Sequence, residues 1–175
     1  MLGVPLVVLL AVAGEALGMG GAQVLVGAGA GMGVGLLQAR QLRGTIDRPI
    51  HWFWSCAAGL SLPFAATDIT RAARWDLPYT LYVSVACGGF LAGVWQAMLL
   101  RRRFQATWWW IAASTLGWSL ASATAAAADA LQRGGSLPRG IWGALAYLAI
   151  IATGGLGLGV VTAVALGLMS RRRDL

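Results

Sequence analysis

Between Arg139 and Arg171 no side chain carries a formal charge, and Ala, Gly, Leu, Val and Ile dominate the stretch. A helix needs about 20 consecutive apolar residues to cross a hydrocarbon core of about 30 Å. This run exceeds that length, and it is not alone. Charge-free apolar runs also fill residues 16–39, 49–67, 77–100 and 104–128. Of the 175 residues 58% are hydrophobic and only 11% charged, and the mean hydropathy is +0.72. A soluble domain needs more charge than this to cover its surface. The reading is an all-α integral membrane protein with a single transmembrane domain over residues 1–175.

Six spans are expected, over about residues 2–18, 22–42, 50–68, 77–100, 107–130 and 140–169, with the GMGGA at 18–22 as the first turn. The run through residues 1–42 is nearly continuous, so one long bent helix there, and five spans in all, stays open. The opening MLGVPLVVLLAVAGEALG has no basic n-region and no cleavage site leading into a polar mature chain. It reads as a retained first helix, not a secretory signal.

The net charge of +7 rests on thirteen arginines without a lysine, and the pI is about 11.0. In a soluble protein that balance would point to nucleic acid. Here the arginines flank apolar runs, where they set topology and face anionic headgroups. The expected partner is therefore the lipid bilayer, with no nucleic acid. With six spans Arg40, Arg43, Arg48, Arg101, Arg102, Arg103, Arg171, Arg172 and Arg173 share one side, against Arg71, Arg74, Arg133 and Arg139 on the other. The richer side is expected to be cytoplasmic, and both termini with it.

The chain also repeats itself. Residues 31–62 overlay 89–120 without a gap: Gly31, Gly35, Gln38, Ala39, Leu42, Arg43, Trp52, Gly59, Ser61 and Leu62 all meet identical residues 58 positions on. Each copy (about 27–67 and 85–125) reads as a helical hairpin: a glycine-rich helix leaving toward the cytoplasm, a basic turn, a returning helix opened by Trp. Both copies run the same way, so the repeat is parallel rather than inverted. A degenerate third copy, about 140–173, contains GGLGLGVVTAVALGLMSRRR and lacks the glutamine.

Gly27, Gly31 and Gly35, then Gly89 and Gly93, then Gly155 and Gly159, recur every four residues, the spacing of close helix packing. They do not form a phosphate-cradling loop, since no G-x-G-x-x-G occurs and no strand precedes them. Gln38 and Gln96 sit about a turn inside the cytoplasmic boundary. Each is expected to hydrogen-bond a facing helix, locking its own hairpin. Arg43 and Arg101 are expected to snorkel to the headgroups, with Trp52 and Trp110 as anchors in an aromatic belt beside Trp108 and Trp109. A ligand-binding role for the glutamines is the competing reading.

The unit Gly…Gly-x-x-Gln-x-x-x-Leu-Arg followed by Trp…Gly-x-Ser-Leu resembles a group of uncharacterised bacterial multi-pass membrane proteins that carry this hairpin two or three times. The resemblance covers about residues 27–125. It implies a membrane fold of six or seven helices in a bacterial inner (cytoplasmic) membrane, and it carries no activity.

Four further groups are candidates for chemistry. Glu15 is an intramembrane carboxylate without an opposite charge on its own helix, either functional or reaching the interface. His51, the lone histidine, could ligate a pigment or haem axially, but its interfacial depth favours headgroup contact. Asp68 and Asp129 read as solvated helix ends. Cys56 and Cys87 fall inside apolar runs and read as small buried residues, not a disulfide. Neither a metal motif nor a Ser-His-Asp set occurs, so no metal is expected, no cofactor is required, and no enzyme is expected. The leading expectation is an accessory or scaffold subunit among other membrane subunits. The alternative is a small-molecule transporter component resembling the six-helix substrate-binding subunits of vitamin or metal importers; pigment or quinone binding is a weaker third.

Overall fold

The computed structural model describes residues 23–44, 46, 48–75 and 81–169. Five helices account for most of them: α1 (Gln23–Gln41), α2 (Pro49–Ala72), α3 (Leu81–Leu100), α4 (Trp108–Arg133) and α5 (Ile141–Leu168). The expected first helix over residues 2–18, with Glu15, lies outside the described residues, as do Arg171, Arg172 and Arg173.

The helix lengths run from 19 to 28 residues. At about 1.5 Å per residue that is roughly 29 to 42 Å, the thickness of a hydrocarbon core or more. Two of them, α3 and α5, are both long and apolar enough to cross a membrane. The others are diluted by particular residues. Gln23, Gln38, Arg40 and Gln41 and a run of glycines lower α1, while His51, Asp68 and Arg71 lower α2. In α4 it is Asp129, Gln132 and Arg133.

Each helix packs on the next in the chain, α1 on α2, α2 on α3, α3 on α4 and α4 on α5. The turns between them are short. Pro49 opens α2 at a position that needs no backbone N–H. Gly44, with φ +84°, lets the α1–α2 turn reverse in the left-handed region at no side-chain cost. The two basic turns touch: the Arg103 guanidinium donates to the Gly44 carbonyl at 3.1 Å.

The bundle combines small and polar groups inside with many large apolar side chains outside. The buried faces of α1 and α3 are mostly small or polar, with Gly27, Gly31, Gly35 and Ala39 on α1 and Ser84, Gly88, Ala92 and Gln96 on α3, while Trp52, Leu60, Phe64, Trp110 and Trp118 fill the interior from α2 and α4. Large apolar side chains such as Leu62, Phe90, Leu116, Leu156, Val160 and Val164 point outward. A monomeric soluble protein rarely exposes so continuous an apolar surface.

The glycine stripes explain how the helices come close. A methyl group at Gly89 would sit 2.7 Å from the Trp118 Cβ and 3.0 Å from the Ser114 carbonyl. At Gly35 it would sit 2.9 Å from the Cys56 Cβ, and at Gly93 2.9 Å from the Ser114 Cβ. Gly27 and Gly31 press on the α2 backbone at Leu60 and Cys56. The third stripe differs from expectation. Gly155 and Gly159 face open space, and their neighbour Gly154 is the one pressed against Thr124 and Ala121 of α4. The physical reason is rotation: α5 turns a face one residue away from the stripe toward α4, burying Gly154, Leu158, Thr162 and Ala165.

Candidate functional site

Trp52 and Cys56 are four residues apart on α2, and therefore on one helix face. Trp110 and Ser114 hold the same spacing on α4. Between these two faces the polar interior of the bundle gathers.

The Trp52 indole N–H donates to Gln38 Oε1 at 3.1 Å, and the Trp110 indole N–H donates to Gln96 Oε1 at 2.7 Å. Both bonds span fourteen residues across a hairpin. The Gln96 amide then donates from Nε2 to Cys56 Sγ at 2.9 Å, and the Cys56 thiol faces Gln38 Oε1 at 3.6 Å. An indole nitrogen can only donate, so each glutamine must turn its oxygen to Trp. That leaves Gln96 its amide nitrogen for the sulfur. The thiol proton in turn has the Gln38 oxygen to meet. The result is one directed chain, from Trp110 through Gln96 and Cys56 to Gln38, closed from the other side by Trp52.

The chain is dry. Trp52 is 0% exposed, Cys56 1%, and Gln96 and Trp110 3% each. Leu100, Phe104, Ala113, Ala165 and Met169 close over it from α3, the α3–α4 turn, α4 and α5. Among the described residues no buried side-chain nitrogen or oxygen is left without a hydrogen-bond partner. In such surroundings an unpartnered indole or amide is costly, whereas a complete network is rigid.

The two halves correspond beyond the glutamines. Ser114 stands where the first copy has Cys56, and its hydroxyl donates to the Gly89 carbonyl at 2.8 Å. Gly59 meets Ala92 of the next helix, and Gly117 meets Leu158 of the next helix. Ser61 and Ser119 each bond the carbonyl four residues back. In the third segment Thr162 follows Gly159 by three residues, as Gln38 follows Gly35. It is buried, but its hydroxyl bonds the Leu158 carbonyl of its own helix at 2.7 Å. It takes no part in the network.

Several expectations change here. Trp52 and Trp110, expected as anchors in an aromatic belt, are buried, with their indole N–H groups on glutamine acceptors. Exposed tryptophans toward that end are Trp54, Trp95, Trp108 and Trp109. The glutamines are also linked to one another, because Cys56 lies between Gln96 and Gln38. Cys56 is buried and free, while Cys87 is free but exposed. Arg43 and Arg101 are exposed beyond their helices, as is His51 at the start of α2.

The two carboxylates do more than end helices. Asp68 Oδ2 accepts the Val24 backbone N–H at 2.9 Å, so the C-terminal part of α2 caps the first turn of α1. Asp129 Oδ1 accepts the Tyr147 hydroxyl at 2.7 Å and ties α4 to α5. Among the described residues no group of three His, Cys, Asp or Glu side chains could hold a metal ion. Comparison of the chain with protein-family models, curated proteins and solved structures finds no match.

Proposed function

We propose that this chain is a non-catalytic integral membrane protein that serves as an accessory or scaffold subunit of a larger membrane complex. In this reading the five described helices and a span over about residues 2–18 cross a bacterial inner membrane six times, with both termini in the cytoplasm. Two parallel hairpin repeats form its centre.

The observation that carries the reading is an apolar exterior around an interior whose polar groups satisfy one another. The interior polar groups, Gln38, Gln96, Cys56, Trp52 and Trp110, are engaged with one another, while large apolar side chains such as Leu62, Phe90, Leu116, Leu156, Val160 and Val164 face out beside a core that also buries Leu60, Phe64 and Leu100. Apolar exteriors are stable against lipid tails, and small or hydrogen-bonding residues drive helix association inside a bilayer. The subunit role draws on α5. Among the described residues it packs chiefly on α4 and leaves most of its 28 residues exposed, Leu156, Val160, Val164 and Leu168 among them.

Purification in two unrelated mild detergents, followed by native mass spectrometry, tests the role. The expected result is the same protein partner at fixed stoichiometry in both preparations. A chain that purifies alone with a bound vitamin or metal would overturn the subunit reading and support a transporter component, with the Gln–Cys–Gln chain as its ligand-facing groups.

A further inference from the structure

Where α1 ends and α2 begins, their outer faces leave a depression of about 300 Å³, lined by Leu36, Ala39, Arg40, Arg43, Pro49, Ile50 and Phe53. Its chemistry is graded along the helix axis. Arg40 lies in the last turn of α1 and Arg43 three residues on, both exposed and on the same side of the turn. Leu36 is one turn further in, about 6 Å deeper at 1.5 Å per residue, and Phe53 lies equally far inside Pro49. Ile50 is 58% exposed and Leu36 37%, so the floor is open to whatever surrounds the bundle. An apolar floor under a doubly cationic rim has one natural complement.

We infer that this depression holds one anionic glycerophospholipid, its headgroup phosphate between Arg40 and Arg43 and part of an acyl chain along Leu36, Ile50 and Phe53. The inference rests on the membrane reading above. Planar guanidinium groups pair with phosphate oxygens through two parallel hydrogen bonds, and basic pockets between helices on the cytoplasmic side suit such headgroups. Charge complementarity is strong at this end. Residues 40–48 hold three arginines against the single carboxylate of Asp47, which lies outside the described residues. The described carboxylates, Asp68 and Asp129, sit at the opposite end of the bundle. Neither Arg40 nor Arg43 engages another side chain among the described residues, whereas Arg103 is held by the Gly44 carbonyl. The pair is thus available to a headgroup in a way that Arg103 is not.

The test is native mass spectrometry of the full chain with equimolar dioleoylphosphatidylglycerol and dioleoylphosphatidylcholine. The wild-type chain should retain one phosphatidylglycerol with a preference of about tenfold. Arg40→Gln with Arg43→Gln should abolish the preference, and Arg101→Gln with Arg102→Gln, on the neighbouring turn, should leave it within about twofold. Equal loss in both pairs would mean a diffuse field and overturn the site, as would full retention in the first. Ile50→Glu, which keeps both arginines and puts a carboxylate in the floor, should also abolish the preference, and retention there overturns the site even where the arginine variant does not fold. Millimolar inorganic phosphate should not displace the lipid; displacement would reassign the site to a free anion. Alkaline carbonate washing separates this inference from its parent. A chain stripped from membranes defeats the membrane reading, and one that stays embedded without lipid preference defeats this inference alone.

Discussion

Trp52 and Trp110 meet edge to face, their ring centroids 5.2 Å apart and their planes at 64°. One belongs to each hairpin, and each donates its indole N–H to the glutamine fourteen residues before it. Edge-to-face pairs of this kind contribute about 0.5 to 1.5 kcal/mol beyond area burial. The contact therefore joins the two hairpins at the same depth at which each is closed on itself.

Replacing these tryptophans separates interior from surface roles. Trp110→Phe and Trp52→Phe keep an aromatic ring but remove the donor; the first leaves the buried Gln96 oxygen without its partner at a cost of about 1 to 3 kcal/mol, and the second, at the half-buried Gln38, costs about 1 kcal/mol. Trp54→Phe, on the outward face and 51% exposed, should cost within about 0.5 kcal/mol. Thermal unfolding in detergent reads the difference. If Trp54→Phe were the most damaging of the three, the aromatic-belt assignment for Trp52 and Trp110 would be restored.

The glycine stripes predict opposite signs. Gly89→Ala places a methyl 2.7 Å from the Trp118 Cβ and 3.0 Å from a backbone carbonyl, and overpacking of this kind costs about 1 to 3 kcal/mol. Gly155→Ala meets nothing within 4 Å and should stabilise α5 by up to about 1 kcal/mol through helix propensity. Both are read as melting temperature of the isolated chain. A loss at Gly155 equal to that at Gly89 would show its face to be packed.

How far the sequence was readable depends on which physics decides each feature. The helices follow from apolar run length, a local property, and where both the expected and the observed end lie among the described residues they agree within four residues; the expected starts near 22 and 77 lie outside them. The glycines of the first two stripes and the paired glutamines stood out because they recur at fixed spacing. Which face of α5 turns inward is set by contacts with α4, so the choice of Gly154 over Gly155 had no local signal. The burial of Trp52 has no local signal, because tryptophan at a helix start suits an exposed face as well as an interior; the position of Gln38 across the turn decides. Cys56 did have a signal. It follows Trp52 by four residues, as Ser114 follows Trp110, placing a small polar side chain on the tryptophan face in both copies.

That correspondence predicts the tolerance of position 56. Cys56→Ser keeps a small donor and acceptor between the two glutamines, so the variant should fold with a loss of about 1 kcal/mol or less. Cys56→Leu cannot be accommodated beside Gly35 and removes the bridge, and should lose about 2 to 4 kcal/mol in the same assay. Equal behaviour of the two variants would show that the sulfur is not a link.

Orientation is tested on a background of Cys56→Ser and Cys87→Ser. Arg102→Cys lies on the arginine-rich turn and should resist a membrane-impermeant maleimide in intact cells. Ser136→Cys, at the opposite end and exposed, should react. Labelling of position 102 from outside would reverse the topology that the nine-to-four arginine asymmetry implies.

The Gln–Cys–Gln chain makes a quantitative prediction about coupling. Gln96→Leu should be the more damaging single change. Gln96 is 3% exposed, accepts from Trp110 at 2.7 Å and donates to Cys56 at 2.9 Å, so its loss strands an indole and a thiol partner together. Gln38 is half-buried and only accepts, at 3.1 and 3.6 Å. Hydrogen bonds between membrane helices contribute about 0.6 to 2 kcal/mol each, so Gln38→Leu should lose about 1 kcal/mol and Gln96→Leu nearer 2. Were the two hairpins independent, the double variant would lose the sum. They share Cys56 and the Trp52–Trp110 contact, and residues in one network couple by about 0.5 kcal/mol or more. Once either glutamine is gone the thiol has already lost one of its neighbours, so the second substitution removes less. The double variant should therefore fall short of the sum by at least about 0.5 kcal/mol in reversible unfolding by a denaturing detergent. Strict additivity would mean that Cys56 carries no coupling and that each glutamine closes its own hairpin alone.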